Sequence, residues 1–113
     1  MGYNLSRMDD GAEWTCNNPL WAFLLTAANR SGWQPIGTFR IDDESGEEDQ
    51  SWDKENYHSN DGQGVTGKDA ENFAKALQSY LVKEDPEGIE RKTIQSFLLW
   101  VCQDDAFPGF DIY

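Results

Sequence analysis

Residues 60–77, NDGQGVTGKDAENFAKAL, pass from a glycine-rich turn into an amphipathic run, and how they are read decides which fold the chain can have. Gly62, Gly64 and Gly67 satisfy G-x-G-x-x-G, and Gly62 through Lys68 satisfy all but the last position of G-x-x-x-x-G-K-[ST]. A nucleotide-binding loop of either kind joins a buried parallel strand to a helix whose first N–H groups gather on phosphate. The residues ahead of Gly62, SWDKENYHSND, are too polar for such a strand, and Asp69 stands where the magnesium-binding hydroxyl belongs. A plainer reading explains the same letters. Asn60-Asp61-Gly62 is turn chemistry, Thr66 caps a helix by accepting the N–H of Asp69, and the Asp69 carboxylate favours the positive end of that helix.

Working outward, the helix after Thr66 carries Ala70, Phe73, Ala74, Leu77, Tyr80 and Leu81 on one stripe, with Lys68, Glu71, Asn72, Lys75 and Gln78 opposite. An earlier run, NNPLWAFLLTAANRSGW, reads as a helix capped by Asn18, with Pro19 in its first turn, Leu20, Phe23, Leu24 and Ala27 repeating at i, i+3, i+4, i+7, and Gly32 as its stop. A third begins near Pro86, with Ile94, Phe97, Leu98 and Val101 as its apolar face. GYNLS near the start, GTFRI at 37–41 and GFDIY at the end alternate apolar and polar residues, as half-buried strands do. The expected class is α+β: three amphipathic helices with a small antiparallel sheet, in a single domain spanning 1–113. The stretch from about 42 to 56, charged and holding Gly46, reads as a mobile acidic loop.

Charge narrows the choice of partner. The 113 residues hold 21 Asp and Glu against nine Lys and Arg, a net of −12. Asp42, Asp43, Glu44, Glu47, Glu48, Asp49 and Asp53 lie between Ile41 and Asp53 with no base among them, and setting those seven aside leaves a net of −5. Such a field repels nucleic acid and anionic membrane and attracts a basic protein surface or cations. Five Trp, four Tyr and six Phe give the apolar surface that a disordered acidic chain lacks.

Other chemistries find little support. Cys16 and Cys102 are far apart and His58 is the only histidine, which is too few ligands for a Cys/His zinc site. No apolar run reaches the roughly 20 residues of a membrane span, and no secretory signal is legible, so a cytoplasmic protein with reduced thiols is expected. Gly2–Ser6 fits the myristoylation pattern, but Asp9 and Asp10 follow it in place of a polybasic patch. Neither Gly46 nor Gly62 sets an EF-hand register, since the first ligand position falls on Ile41 or Tyr57. His58 beside Ser59 makes no triad by adjacency, and among 21 acids some pair always lies close. The reading assigns no catalytic residue, no cofactor and no metal.

The run Tyr57, Asn60, Asp61, Gly62, Gln63, Val65, Thr66, Asp69, Ala70, Phe73, Ala74, Ala76 and Leu77, together with MGYNLSR at the start, resembles a group of small uncharacterised bacterial proteins. The resemblance covers residues 1–7 and 57–77, carries no activity with it, and implies a bacterial or phage source. In size and charge, though not in motif, the chain is similar to DNA mimics, anti-CRISPR inhibitors and toxin-immunity proteins. The functional expectation is therefore a non-enzymatic inhibitor that occupies a basic surface on a nucleic-acid-handling enzyme. Asp42, Asp43, Glu44, Glu47, Glu48, Asp49 and Asp53 would steer association, and Trp52 and Tyr57 would be buried in the partner. The alternative is a cation-binding or metabolic domain whose acidity serves solubility.

Overall fold

The computed structural model describes residues 2–41, 48–53, 57, 62–103 and 105–113; for 39–41 and 48–53 the description is of the backbone. The class is α+β. Six strands, β1 (Gly2–Arg7), β2 (Glu13–Asn17), β3 (Thr38–Ile41), β4 (Glu48–Asp53), β5 (Gln63–Val65) and β6 (Phe110–Ile112), form an antiparallel sheet in the order β2-β1-β6-β5-β3-β4. Three helices, α1 (Asn18–Arg30), α2 (Gly67–Glu84) and α3 (Gly88–Val101), complete it. Among the described residues no helix is long and apolar enough to cross a membrane.

Each helix begins and ends for local reasons. Asn17, one residue earlier than expected, caps α1 by accepting the Leu20 N–H at 3.0 Å, so Asn18 and Pro19 open the helix and Gly32, at φ 98°, follows its end. Thr66 caps α2 as its sequence predicts, its hydroxyl oxygen accepting the Asp69 N–H at 3.2 Å. α3 starts at Gly88 and buries Thr93, Ile94, Phe97 and Val101, with Leu98 at the margin.

The helical stripes meet one face of the sheet. Leu5, Val65, Phe110 and Ile112 from the strands close over Trp21, Leu24, Phe73, Leu77, Ile94 and Phe97, all essentially without solvent contact. Phe97 is the hub of the aromatic packing, meeting Trp14, Phe73 and Phe110 edge to face at centroid separations of 5.2, 5.4 and 6.1 Å. At the far end Arg7, though only 7% exposed, keeps its charge satisfied. It donates to the Trp100 carbonyl at 2.8 Å, its guanidinium pairs with Asp10, and Trp100 in turn donates to the Ala12 carbonyl at 3.1 Å. The β1–β2 turn is thereby stapled to the C-terminal end of α3, where a cation also suits the helix dipole. The hydrogen bond from Arg7 holds the Asp10 carboxyl down at about 2.

Candidate functional site

The described part of the acidic segment, Glu48–Asp53, lies on strand β4, which pairs with β3 at one edge of the sheet. Where the sequence reads as a mobile loop from about 42 to 56, the backbone of Glu48–Asp53 is strand β4, paired among the described strands with β3 alone. EDQSWD is poor in strand-forming residues, and it is the pairing with Thr38–Ile41 that holds it extended. The pairing is irregular. Between the Thr38–Asp53 and Arg40–Asp49 pairs β3 advances two residues while β4 advances four, so Gln50–Trp52 form a bulge. Of the residues expected to bind a partner, Glu48, Asp49, Trp52 and Asp53 lie on this edge strand, while Asp42, Asp43, Glu44 and Glu47 lie outside the described residues.

Tyr57 requires a correction. Expected as an aromatic anchor offered to a partner, it is 5% exposed and belongs to the core. Its ring packs edge to face on Trp33 at 5.0 Å, its carbonyl accepts the indole N–H of Trp21 at 2.7 Å, and its hydroxyl both accepts the Gly37 N–H at 2.9 Å and donates to Asp69 at 2.6 Å. Its hydroxyl thus links the approach to β3 with the buried Asp69 carboxylate.

That carboxylate is the feature the sequence reading missed. Asp69 has no solvent exposure; Oδ1 accepts from the Trp33 indole at 3.0 Å and the Ile36 N–H at 3.3 Å, and Oδ2 accepts from Tyr57. Ile36 and Gly37 lead into β3, and Tyr57 follows β4, so one carboxylate at the start of α2 holds both feet of the acidic hairpin. The signal was present in sequence: Asp69 shares the helical face of Ala70, Phe73 and Leu77, and an acid on a buried stripe must find donors. Beside this foot lies an open cleft of 460 Å³ lined by Trp33, Gln34, Ile36, Asn72 and Lys75 among others.

The glycine stretch has a structural use at each step. Gly62 takes φ 87° in the turn, Gly64 sits in β5 between β3 and β6, and Gly67 lies so close to the Phe107 carbonyl that a side chain would collide with it. Gly109, at φ 86°, passes equally near, since a Cβ there would stand 2.6 Å from the Val65 carbonyl and 3.0 Å from the Gly67 nitrogen. The backbone of 107–109 thus occupies the first turn of α2, where phosphate would have to approach, and Lys68 points out beside Glu71 at 3.8 Å. Both cysteines are free thiols; burial pushes Cys16 up to about 11, which makes it a poor nucleophile.

Compared with known proteins, the chain matches no protein-family model, no curated protein and no solved structure.

Proposed function

We propose that this chain is a non-enzymatic binding protein that uses its acidic β3–β4 hairpin to occupy a basic surface on another protein, of the kind found on enzymes that handle nucleic acid. One observation supports the reading: Glu48, Asp49 and Asp53, from the acid-rich run of the sequence, lie on the edge strand β4, and Ile36, Gly37 and Tyr57, which flank β3 and β4, are tied directly or through the Tyr57 hydroxyl to the buried Asp69 carboxylate. An acidic edge clamped at its base is a concentrated field in a fixed position, which speeds encounter with a basic partner and repels nucleic acid and acidic proteins. Trp52, in the bulge, is the aromatic anchor of the contact.

Charge on an edge strand has a second effect, since it discourages edge-to-edge aggregation. The two roles separate by experiment. The protein and a variant with Asp42, Asp43, Glu44, Glu47, Glu48 and Asp49 changed to Asn or Gln serve as baits in bacterial lysate at low and raised salt, and any captured protein is then purified and titrated against both. The expected result is one basic, nucleic-acid-handling protein bound by wild type, weakened by salt, and lost by the variant at unchanged folding stability. Recovery of the same proteins by both baits, or of none, with the variant merely less soluble, would overturn the reading.

A further inference from the structure

Among the described strands the sheet ends at β4 on one side and at β2 on the other, and the two edges are finished differently. β4 carries Glu48, Asp49 and Asp53 and a bulge, features that keep an edge from pairing with another chain. β2 has no Pro, Lys or bulge, and its register with β1 is unbroken from the Gly2–Asn17 pair to the Ser6–Glu13 pair. Where its free backbone groups point follows from the ladder. Arg7 donates its backbone N–H to the Ala12 carbonyl at 2.9 Å, and bonded and unbonded pairs alternate, so Leu5–Trp14 and Tyr3–Cys16 are the bonded pairs of β1 and β2. Asn4, opposite Thr15, instead exchanges both of its backbone bonds with Tyr113 on the other side. The N–H and C=O of Glu13 and Thr15 therefore point away from β1, and among the described residues no backbone group meets them there. Both residues are exposed.

Along this edge, between β2 and α3, lies an open cleft of 260 Å³. Trp14, Thr15 and Cys16 border it in succession although their side chains alternate between the two faces, so it follows the strand's edge. Leu20 and Ile89 give it apolar walls, Ile89 being 62% exposed, and the exposed Lys92 lines it too. A strand added beside β2 sends every second side chain to the helix-covered side, where those opposite Trp14 and Cys16 enter this cleft. An open strand edge with a side-chain pocket beside it is how extended peptides are bound by strand addition, the main chain giving affinity and the pocket selecting the side chain. Charge sets the polarity of the occupant. Trp100 donates to the Ala12 carbonyl and Trp14 to Ser96, so α3 runs antiparallel to β2, and Lys92, one turn before Ser96, stands towards the Cys16 end. Lys92 makes no ion pair among the described residues, and Glu13 marks the opposite end of the strand. The β2 segment of a second copy, EWTCN, offers no base to Glu13, which favours a foreign segment.

We propose that β2 is the receiving edge for an extended segment of a partner protein, which adds antiparallel to Glu13–Asn17 with an apolar side chain in the cleft beside α3, an acid towards Lys92 and a base towards Glu13. The inference does not rest on the acidic-hairpin reading, since β2 and β4 are five strand spacings, roughly 24 Å, apart. The test uses the peptide acetyl-Asp-Thr-Leu-Thr-Val-Lys-amide, and the same peptide with proline in place of the threonine that follows leucine, titrated into wild type, Thr15→Pro and Ile89→Asp. Backbone amide exchange of Thr15 is followed in parallel. Thr15→Pro removes an N–H that the β1 ladder does not use, and Ile89→Asp alters an exposed side chain, so both are expected to fold. The expected result is saturable binding to wild type, Thr15 exchange slowed about tenfold in the complex, and roughly tenfold weaker binding by the proline peptide and by each variant. Absence of saturable binding to wild type, an unchanged Thr15 exchange rate at saturation, or equal affinity of the two peptides overturns the proposal. So does slow Thr15 exchange in the free protein together with a sedimenting mass of two chains, which assigns the edge to a second copy. Should either variant fail to fold, the comparison of the two peptides on wild type decides.

Discussion

Asp69 and Asp111 are both acids placed by regular secondary structure where water reaches them poorly, and the protein treats them in opposite ways. On the helix-covered side, Asp69 is met by an indole, a backbone N–H and a phenol, and it organises the loops around it. On the opposite face of the sheet, Asp111 has one buried oxygen with no donor, and burial pushes its carboxyl above the ordinary range. A saturated carboxylate holds a fold together, whereas an unsaturated one costs the fold the desolvation of that oxygen.

The sharpest way to break this comparison is Asp69→Ala, which strands the Trp33, Ile36 and Tyr57 donors in the core. It should cost about 3–4 kcal/mol in urea unfolding, with Asp69→Asn losing less because one acceptor oxygen remains. A loss below about 1 kcal/mol would mean that the hairpin feet are held by something other than this carboxylate. Next in size is Tyr57→Phe, which removes the hydroxyl between Gly37 and Asp69 and should cost about 1–3 kcal/mol, leaving the Trp33 ring contact intact. Gly67→Ala belongs beside it, at about 1–3 kcal/mol, because the new methyl meets the Phe107 carbonyl.

Asp111→Asn should be the mildest, leaving stability at neutral pH unchanged or raised within about 1 kcal/mol, since it removes a charge that burial disfavours. Its clearer readout is pH. With its carboxyl raised in the fold, Asp111 favours folding fully below its unfolded value of 3.8, and that contribution is lost as pH climbs through the folded value. Asp10 runs the other way: lowered to about 2, it contributes above 3.8 and loses its contribution as pH falls towards 2. Urea midpoints against pH should therefore change differently in the two variants, Asp111→Asn removing a rise on mild acidification and Asp10→Asn removing a fall at stronger acid.

How far the sequence could lead depended on what set each element. α2 was legible to its cap, because Thr66, Asp69 and the Phe73 stripe act within a few residues of one another. β1, β3 and β6 were legible from alternation alone, and in β2 the same alternation, Trp14 and Cys16 inward with Glu13, Thr15 and Asn17 outward, was there to be read. β4 and β5 were not, since charged EDQSWD and three-residue QGV are held extended by their neighbours. Tyr57 was misplaced for a related reason: the residues beside it in sequence are polar, while those that bury it come from α1, α2 and the approach to β3. The acids that define the proposed site were legible as composition, whereas the carboxylate that anchors their hairpin needed three dimensions to be seen.

The strand order has a consequence for how the protein is made. β6, at residues 110–112, lies between β1 and β5, and among the described strands it supplies the only pairing between the β2–β1 half of the sheet and the β5–β3–β4 half. Asn4 and Tyr113 exchange two backbone hydrogen bonds at the same seam. During translation both halves emerge from the ribosome before the strand that joins them, so the sheet is assembled only after residue 112 is free. Closing a contact across more than a hundred residues is entropically slow, which makes insertion of this last strand the natural timekeeper of folding.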